Sequence, residues 1–171
     1  MTVRHPISRK SLPKLWLMTD ERIGEDLWSA VAALPRGSGI VFRHFATEPT
    51  ARSAIYDRVA KIARQRRLML IRRDLARQPI RLGHAHSIRE GIAARRAGAE
   101  AILVSPVHPT RTHPGARPLG VLRATRIARA VGLPAIALGG MNAVRFKRLE
   151  RLGFVGWAAI DGLTPRLARD R

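Results

Sequence analysis

Short runs of apolar residues recur along the chain, and most are followed by a stretch with helical periodicity. The runs stand at Leu15–Met18, Ile40–Phe42, Leu68–Ile71, Ile80–Leu82, Ala101–Val104, Ala135–Leu138 and Trp157–Ile160. Continuous apolar strands that alternate with helices are typical of a parallel sheet covered by helices. The pattern predicts an α/β protein, either a (β/α)8 barrel or a doubly wound sheet.

The chain is short for a complete barrel. It has 171 residues, whereas a (β/α)8 barrel typically has about 250. The segment between the third and fourth apolar runs is too short for an ordinary crossover helix. We therefore predict a shortened (β/α)8 TIM-type barrel of about seven βα units, with the unit after the third strand reduced or missing. Residues 1–13 are predicted to form a basic N-terminal arm, and residues 14–171 a single barrel domain.

Composition excludes several classes of function. The chain has no cysteine, which excludes disulfides, thiolate metal sites and a cysteine nucleophile. No apolar run approaches the roughly 20 residues of a membrane-spanning helix. The N-terminal segment lacks the apolar core of a secretory signal, so we expect a cytoplasmic protein and no membrane partner.

The chain is strongly basic, with 32 Lys and Arg against 12 Asp and Glu and a net charge of +20. Such a field attracts nucleic acids and phosphorylated small molecules alike. The basic residues are scattered over every predicted helix, and aromatic residues, at 5%, are too few for a base-stacking surface. A phosphorylated small molecule is thus the expected partner, nucleic acid is less favoured, and self-association stays open.

Two loops that follow predicted strands carry groups that bind oxyanions. Thr110 and Thr112 place two hydroxyls at alternate positions after the strand at Ala101–Val104, and Gly139–Gly140 ends the strand at Ala135–Leu138. At the same end of a parallel sheet, they would line one pocket with hydroxyls and backbone N–H groups. The alternative is that both are ordinary βα loops.

Five segments together resemble the thiamine phosphate synthase/thiazole tautomerase family of (β/α)8 barrels. They read LWLMTD at 15–20, HAHS at 84–87, AGAEAILVSPVHPTRTHPGARPLG at 97–120, LPAIALGGM at 133–141 and GWAAIDGL at 156–163. The resemblance covers about residues 14–164. It implies a protein of thiamine biosynthesis, in which the synthases couple an aminopyrimidine diphosphate to a thiazole phosphate with the help of magnesium.

The resemblance implies that the phosphate-binding half of the site is retained. Gly139 and Gly140 match the family's phosphate-binding glycines, and Asp161 and Gly162, after the last strand, would form the other wall with Thr110 and Thr112. The family usually has Ser where Asp161 stands. A carboxylate there repels phosphate unless arginines offset it, and Asp161 as a helix cap is the alternative.

The diphosphate half departs from the family pattern. Of the family's Gln-x-Arg-x-Lys after the second strand only Arg43 remains, and Phe45 replaces the Lys. Arg72 and Arg73 stand where the family has Asn-Asp, whose Asp is a magnesium ligand, and the unit with a second ligand is missing. Because Mg²⁺ needs carboxylate or phosphate oxygens, we predict no metal site and no cofactor. Arg43, Arg72 and Arg73 would then hold a diphosphate directly.

In the tautomerase branch a histidine acts as acid and base without a metal, and the matching residue here is His86. Imidazole suits proton transfer near neutral pH. A loop histidine that only contacts backbone is the alternative. A metal cluster of His84, His86, His108 and His113 is not favoured, since only His84 and His86 are close in sequence.

Three classes of function therefore remain. The first class is an enzyme of thiazole and thiamine phosphate chemistry, either a synthase-like transferase or a tautomerase-like isomerase. The second class is a catalytically inactive barrel that binds a phosphorylated ligand or a partner protein. The third class is an Arg-rich nucleic-acid-binding protein, whose affinity would fall steeply with salt. The sequence leaves open whether catalysis is retained.

Overall fold

The structure, a computed structural model, describes residues 12–72, 78–110, 115 and 117–163, with Asp161 described for its backbone alone. Packing of the chain divides it into two compact units. We call residues 15–79 with 158–171 the N-terminal unit, and residues 1–14 with 80–157 the central unit. Residues 1–11 of the predicted N-terminal arm and residues 164–171 lie outside the described residues.

In its described residues, the N-terminal unit contains three complete parallel strands and two α-helices. The strands are β1 (Leu15–Met18), β2 (Gly39–Phe42) and β3 (Met69–Arg72), and the helices are α1 (Asp26–Ala33) and α2 (Pro49–Arg66). β2 pairs with both β1 and β3. α2 begins where sequence rules place it, because the Glu48 side chain accepts the N–H groups of Thr50 and Ala51 and Pro49 is the first helical residue.

Trp16 explains why β2 begins with a glycine. Its side chain is fully buried, and a Cβ at Gly39 would overlap the indole ring. The Gly39 backbone therefore lies directly against a large apolar side chain, which a larger residue would displace.

The described part of the central unit contains three further parallel strands with three α-helices, and the beginning of a seventh strand. The strands are β4 (Leu82–Ala85), β5 (Ala101–Val104), β6 (Ala135–Leu138) and β7 (Gly156–Ala159), and the helices are α3 (Ile88–Arg96), α4 (Gly120–Val131) and α5 (Ala143–Arg151). β5 pairs with β4 and β6. β7 carries the chain from the central unit into the N-terminal unit.

Most of the predicted strands are found within one residue of their predicted ends, and β4 is the exception. It spans Leu82–Ala85, not Ile80–Leu82. The glycine and histidine at 83 and 84 resemble loop residues, yet both pair with β5. Gly83 fits the strand because a Cβ there would lie 2.7 Å from the Cβ of Ala94 on α3. The helix packs so closely on the strand that only glycine leaves room.

The region between β3 and β4 agrees with a reduced βα unit. Residues 73–77 lie outside the described residues, and 78–81 form no helix. The described part of the chain contains seven strands and no helix between β3 and β4. Within the same described part, no helix is long and apolar enough to cross a membrane.

Candidate functional site

Three of the predicted site segments follow neighbouring strands of the central unit. His86 follows β4, the loop that contains Thr110 follows β5, and Gly139–Gly140 follows β6. Because β4, β5 and β6 are parallel and hydrogen-bonded in that order, their carboxyl ends lie along one edge. Ligands of α/β proteins bind at such edges.

The turn at Gly139 and Gly140 depends on both residues being glycine. Their φ angles are 95° and 59°, in the region that side chains disfavour. A Cβ at Gly139 would lie 2.8 Å from the Cα of Pro106, and one at Gly140 would overlap the Pro109 carbonyl and approach the Cβ of His108. The loop after β5 therefore lies directly on this turn, and Thr110 follows at its end.

Backbone hydrogen bonds hold the two loops together. The N–H of Val107 donates to the Leu138 carbonyl over 2.9 Å, and the N–H of His108 donates to the Gly139 carbonyl over 3.1 Å. Asn142 then caps α5 by accepting the N–H of Arg145. The turn thus leads directly into a helix N-terminus, whose first N–H groups have no partner within the helix.

The charges that act on this turn are positive. The guanidinium of Arg145 donates a hydrogen bond to the Gly140 carbonyl. Burial lowers the pKa of His108, and the charges of Arg145 and Arg148 lower it further. The turn therefore combines two glycines, a helix N-terminus and a nearby guanidinium, a combination that suits an oxyanion.

His86 is held between a carboxylate and a hydroxyl. Its Nδ1 lies 2.9 Å from Oε2 of Glu90, and the same oxygen accepts the backbone N–H of His86. On the other side of the ring, Nε2 lies 3.5 Å from Oγ of Ser105, which is buried. Hydrogen bonds from the backbone and ring of His86 lower the pKa of Glu90. The ring thus has a defined orientation at the end of β4.

The remaining predicted phosphate-binding residues are not all described. Thr110 is half-buried in the loop described above, and Thr112 and His113 lie outside the described residues. Gly162 belongs to the short helix Asp161–Leu163 of the N-terminal unit. The roles predicted for Thr112, Asp161 and Gly162 stay predictions.

In the N-terminal unit, Arg43 lies in a tight cluster where β1 and β2 end. Its N–H donates to the Thr19 hydroxyl over 2.9 Å, and that hydroxyl lies 3.0 Å from Nδ1 of the buried His44. The Arg43 guanidinium lies 3.8 Å from the carboxylate of Asp20. A second arginine, Arg22, contacts the same carboxylate at 2.7 Å, so Asp20 lies between two cations.

Titration in this cluster follows from burial and pairing. Burial lowers the pKa of His44, and nearby carboxylates only partly oppose the shift. For Asp20, burial raises the pKa, but hydrogen bonds from Arg22 and the charges of Arg22 and Arg43 lower it more. Both side chains therefore keep their neutral-pH charge states over a wide range.

Arg72 ends β3, at the position where the resemblance implies a metal-ligand pair. Its guanidinium lies over the Tyr56 ring, 4.8 Å from the centroid, and its N–H donates to the Gln78 side chain. Arg73 lies outside the described residues. Among the residues that the structure describes, no three His, Cys, Asp or Glu side chains group as a metal site would require.

Sequence reasoning missed two side chains that the structure adds to the candidate site. Arg145 is four residues beyond Met141, and its position three after the Asn142 cap is a signal that could have placed it in the first turn of α5. Ser105 directly follows the apolar strand β5, and nothing in the sequence marked it as a site residue. Glu90 donates its N–H to the Ser87 hydroxyl at the start of α3, and its contact with the ring of His86 was not foreseen.

Comparisons with known proteins agree with this architecture. The sequence profile of the family described as thiamine monophosphate synthase matches residues 72–163, more than half of the chain. A protein from Aquifex aeolicus named putative thiamine-phosphate synthase 2 is 34% identical over 77 residues, covering 45% of this chain and 41% of that protein. The thiamine-phosphate synthase of Salinispora tropica is 38% identical over 74 residues, covering 43% and 36%. The matched segment thus spans about two fifths of each relative.

Solved structures show the same fold. Thiamine phosphate pyrophosphorylase from Pyrococcus furiosus superimposes with a TM-score of 0.74 at 20% identity, covering 95% of this chain and 98% of that one. The enzyme of that name from Bacteroides thetaiotaomicron gives 0.52 at 15% identity, with 88% and 84% covered. These likenesses confirm the predicted class, a shortened (β/α)8 TIM-type barrel. On the profile match, the chain belongs to the thiamine monophosphate synthase family.

Proposed function

We propose that the protein binds a phosphorylated thiazole or thiamine-type ligand, with the phosphate at the Gly139–Gly140 turn. The proposal rests on the backbone geometry and the charge at this turn. Two left-handed glycines bring the backbone close to a helix N-terminus, and Arg145 adds a guanidinium. Thr110 contributes a hydroxyl from the adjoining loop. Thr112, Asp161 and Gly162 stay further candidates for phosphate binding on the sequence pattern alone.

The same proposal assigns acid–base chemistry to His86. It follows the strand next to the one that leads into the Thr110 loop, and its ring is fixed by Glu90 and Ser105. A tautomerase-like proton transfer on a bound thiazole phosphate needs one such group and no metal. This supports an isomerase-like activity over the coupling of two substrates.

The magnesium-dependent half of the synthase reaction has weak support in this chain. At the ends of β1 and β2 the carboxylate of Asp20 is engaged by Arg22 and Arg43, so a hard cation would compete with two guanidinium groups. β3 ends in Arg72, a cation, directly before the position where the resemblance implies a metal ligand. These residues do not fit Mg²⁺. Arg43, Arg72 and Arg73 instead suit direct contact with a diphosphate.

The binding proposal is tested with inorganic phosphate and with thiamine phosphate. Calorimetry measures affinity, and an NMR titration follows the histidine rings. A phosphate on the Gly139–Gly140 turn stabilises the imidazolium of His108, so the pKa of His108 rises on binding and affinity increases as the pH falls.

His44 reports on the second candidate anion site, because it lies beside Arg43 in the N-terminal unit cluster and also has a lowered pKa. A phosphate that binds only at the Gly139–Gly140 turn leaves the titration of His44 unchanged. Saturable binding with no change at His108 would place the anion elsewhere. No binding of either ligand would contradict the proposed function itself.

A further inference from the structure

We propose that Glu90, His86 and Ser105 form a proton relay, with Glu90 as a positioning residue and the Ser105 hydroxyl as the proton carrier next to the Gly139 turn. The arrangement of the three side chains is a property of the fold. Its catalytic use rests on the proposed function.

The first step of the relay fixes the imidazole tautomer. Glu90 Oε2 lies 2.9 Å from Nδ1 of His86, and an ionised carboxylate only accepts hydrogen bonds. The neutral ring therefore carries its proton on Nδ1 and leaves Nε2 unprotonated. Nε2 is then the atom that accepts and returns a proton.

The second step joins Nε2 to a buried hydroxyl. Ser105 is 7% exposed, whereas the His86 and Glu90 side chains are 55% and 51% exposed. The Oγ to Nε2 distance of 3.5 Å is at the long limit of a hydrogen bond, as is common in catalytic pairs without substrate. The imidazole thus connects an exposed carboxylate with an interior hydroxyl.

The third step places Ser105 beside the anion cradle. Pro106, the residue after Ser105, packs so closely on Gly139 that a Cβ there would lie 2.8 Å from the Pro106 Cα. The residue that follows Ser105 therefore lies directly on the turn where the phosphate is proposed to bind.

The proton balance of the relay is simple. To protonate a bound ligand, the Ser105 hydroxyl gives its proton to the ligand while its oxygen takes the Nε2 proton of the His86 imidazolium. One proton leaves the imidazolium, one reaches the ligand, and the hydroxyl is regenerated. Deprotonation of the ligand runs the same transfers in reverse, and the Glu90 carboxylate stabilises the imidazolium that results.

Helix capping explains part of the Glu90 geometry but not all of it. Ser87 caps α3 by accepting the N–H of Glu90, and its hydroxyl donates to the Glu90 carboxylate, as a variant of the capping box. That motif requires no contact with the ring of His86. The test must therefore separate capping from control of the tautomer.

The first experiment records the ring nitrogens of His86 by ¹⁵N NMR at pH 8, above the ordinary pKa of free histidine. Free histidine favours the Nε2–H tautomer, so a predominantly Nδ1–H ring at His86 would show the effect of Glu90. Glu90→Met removes both acceptor oxygens, keeps the length of the side chain, and shifts His86 toward Nε2–H. Glu48→Met is the control for the loss of a capping carboxylate, because Glu48 accepts the N–H groups of Thr50 and Ala51 at the start of α2, and it leaves the His86 spectrum unchanged. An Nε2–H ring in the unmodified protein, or no change in Glu90→Met, overturns the positioning role.

The second experiment tests the hydroxyl with Ser105→Ala and with Ser38→Ala, a control at another buried serine. Only Ser105→Ala shifts the Nε2 resonance of His86. With a carboxylated thiazole phosphate as substrate, Ser105→Ala lowers kcat about 10²–10⁴-fold and leaves KM unchanged, since it removes proton transfer but not phosphate binding. An unchanged Nε2 resonance, or an unchanged kcat, overturns the relay.

The two readouts separate failure of the relay from failure of the proposed function. If the unmodified protein converts no thiazole phosphate, the proposed activity is wrong, and the ring-nitrogen spectra still decide whether Glu90 and Ser105 hold His86. If turnover is measurable but the spectra do not respond to either substitution, the relay is wrong and the proposed activity stands. Circular dichroism of each variant confirms that α3 is intact.

Discussion

Substituting Gly140 by alanine tests the candidate cradle most directly, because the structure gives the cost in two parts. The φ of Gly140 is 59°, and a side chain in this region costs about 1–2 kcal/mol. The new methyl group also overlaps the Pro109 carbonyl and comes within 2.9 Å of the His108 Cβ. Forced overlap in a packed region costs a further 1–3 kcal/mol, roughly.

Gly132→Ala is the matched control for backbone strain. Gly132 ends α4 with φ 73°, and the nearest atom to a Cβ there is Nη1 of Arg95 at 3.7 Å, an ordinary contact. Gly132→Ala therefore carries the backbone cost of about 1–2 kcal/mol alone. Urea unfolding followed by circular dichroism measures both variants, and Gly140→Ala should be the less stable of the two.

Phosphate binding gives the second readout. Gly140→Ala displaces the loop that contains Thr110 and places a methyl group in the proposed cradle, so calorimetry with inorganic phosphate should detect no binding. Gly132→Ala should bind like the unmodified protein. Equal stability of the two variants would refute the packing argument, and full phosphate affinity in Gly140→Ala would refute the site.

The remaining predictions concern the N-terminal unit. With both synthase substrates, thiamine phosphate formation should be slow and insensitive to excess chelator. It should be lost in Arg43→Ala but not in the control variant Arg36→Ala. Brisk magnesium-dependent turnover would contradict the proposed loss of the magnesium-binding half of the site. The stability of the protein should fall as the pH drops below about 6.5, because the pKa of His44 is lowered in the folded state and the unfolded chain therefore binds more protons. His44→Asn keeps a polar side chain suited to the positive φ of this residue. Urea unfolding of this variant between pH 7 and 5 should show a weaker dependence of the unfolding free energy on pH. An unchanged dependence would exclude His44 as its source.

Much of the fold was predictable because its signals are local. The apolar runs at Leu15–Met18 and Ala101–Val104 became strands with those bounds. The start of α3 is equally local, because Ser87 accepts the N–H of Glu90, its near neighbour in the chain. β4 was misplaced because a glycine that accommodates Ala94 cannot be distinguished in sequence from a glycine that bends a loop.

The candidate site shows the same contrast between local signals and tertiary contacts. Glycine pairs, a histidine at a strand end and a missing βα unit are visible in the sequence, so the phosphate turn, His86 and the shortened barrel class were all predicted from it. The contact of Ser105 with His86 and the position of Arg145 over Gly140 were not. Both contacts depend on the tertiary structure. The parallel pairing of β4, β5 and β6 brings the strand ends together, and the first turn of α5 places Arg145 at the glycine turn. Sequence by itself therefore determined the elements and the residue types that suit an oxyanion. Only the tertiary structure decided which groups surround them, because those distances join residues that lie apart in the chain and are fixed by packing.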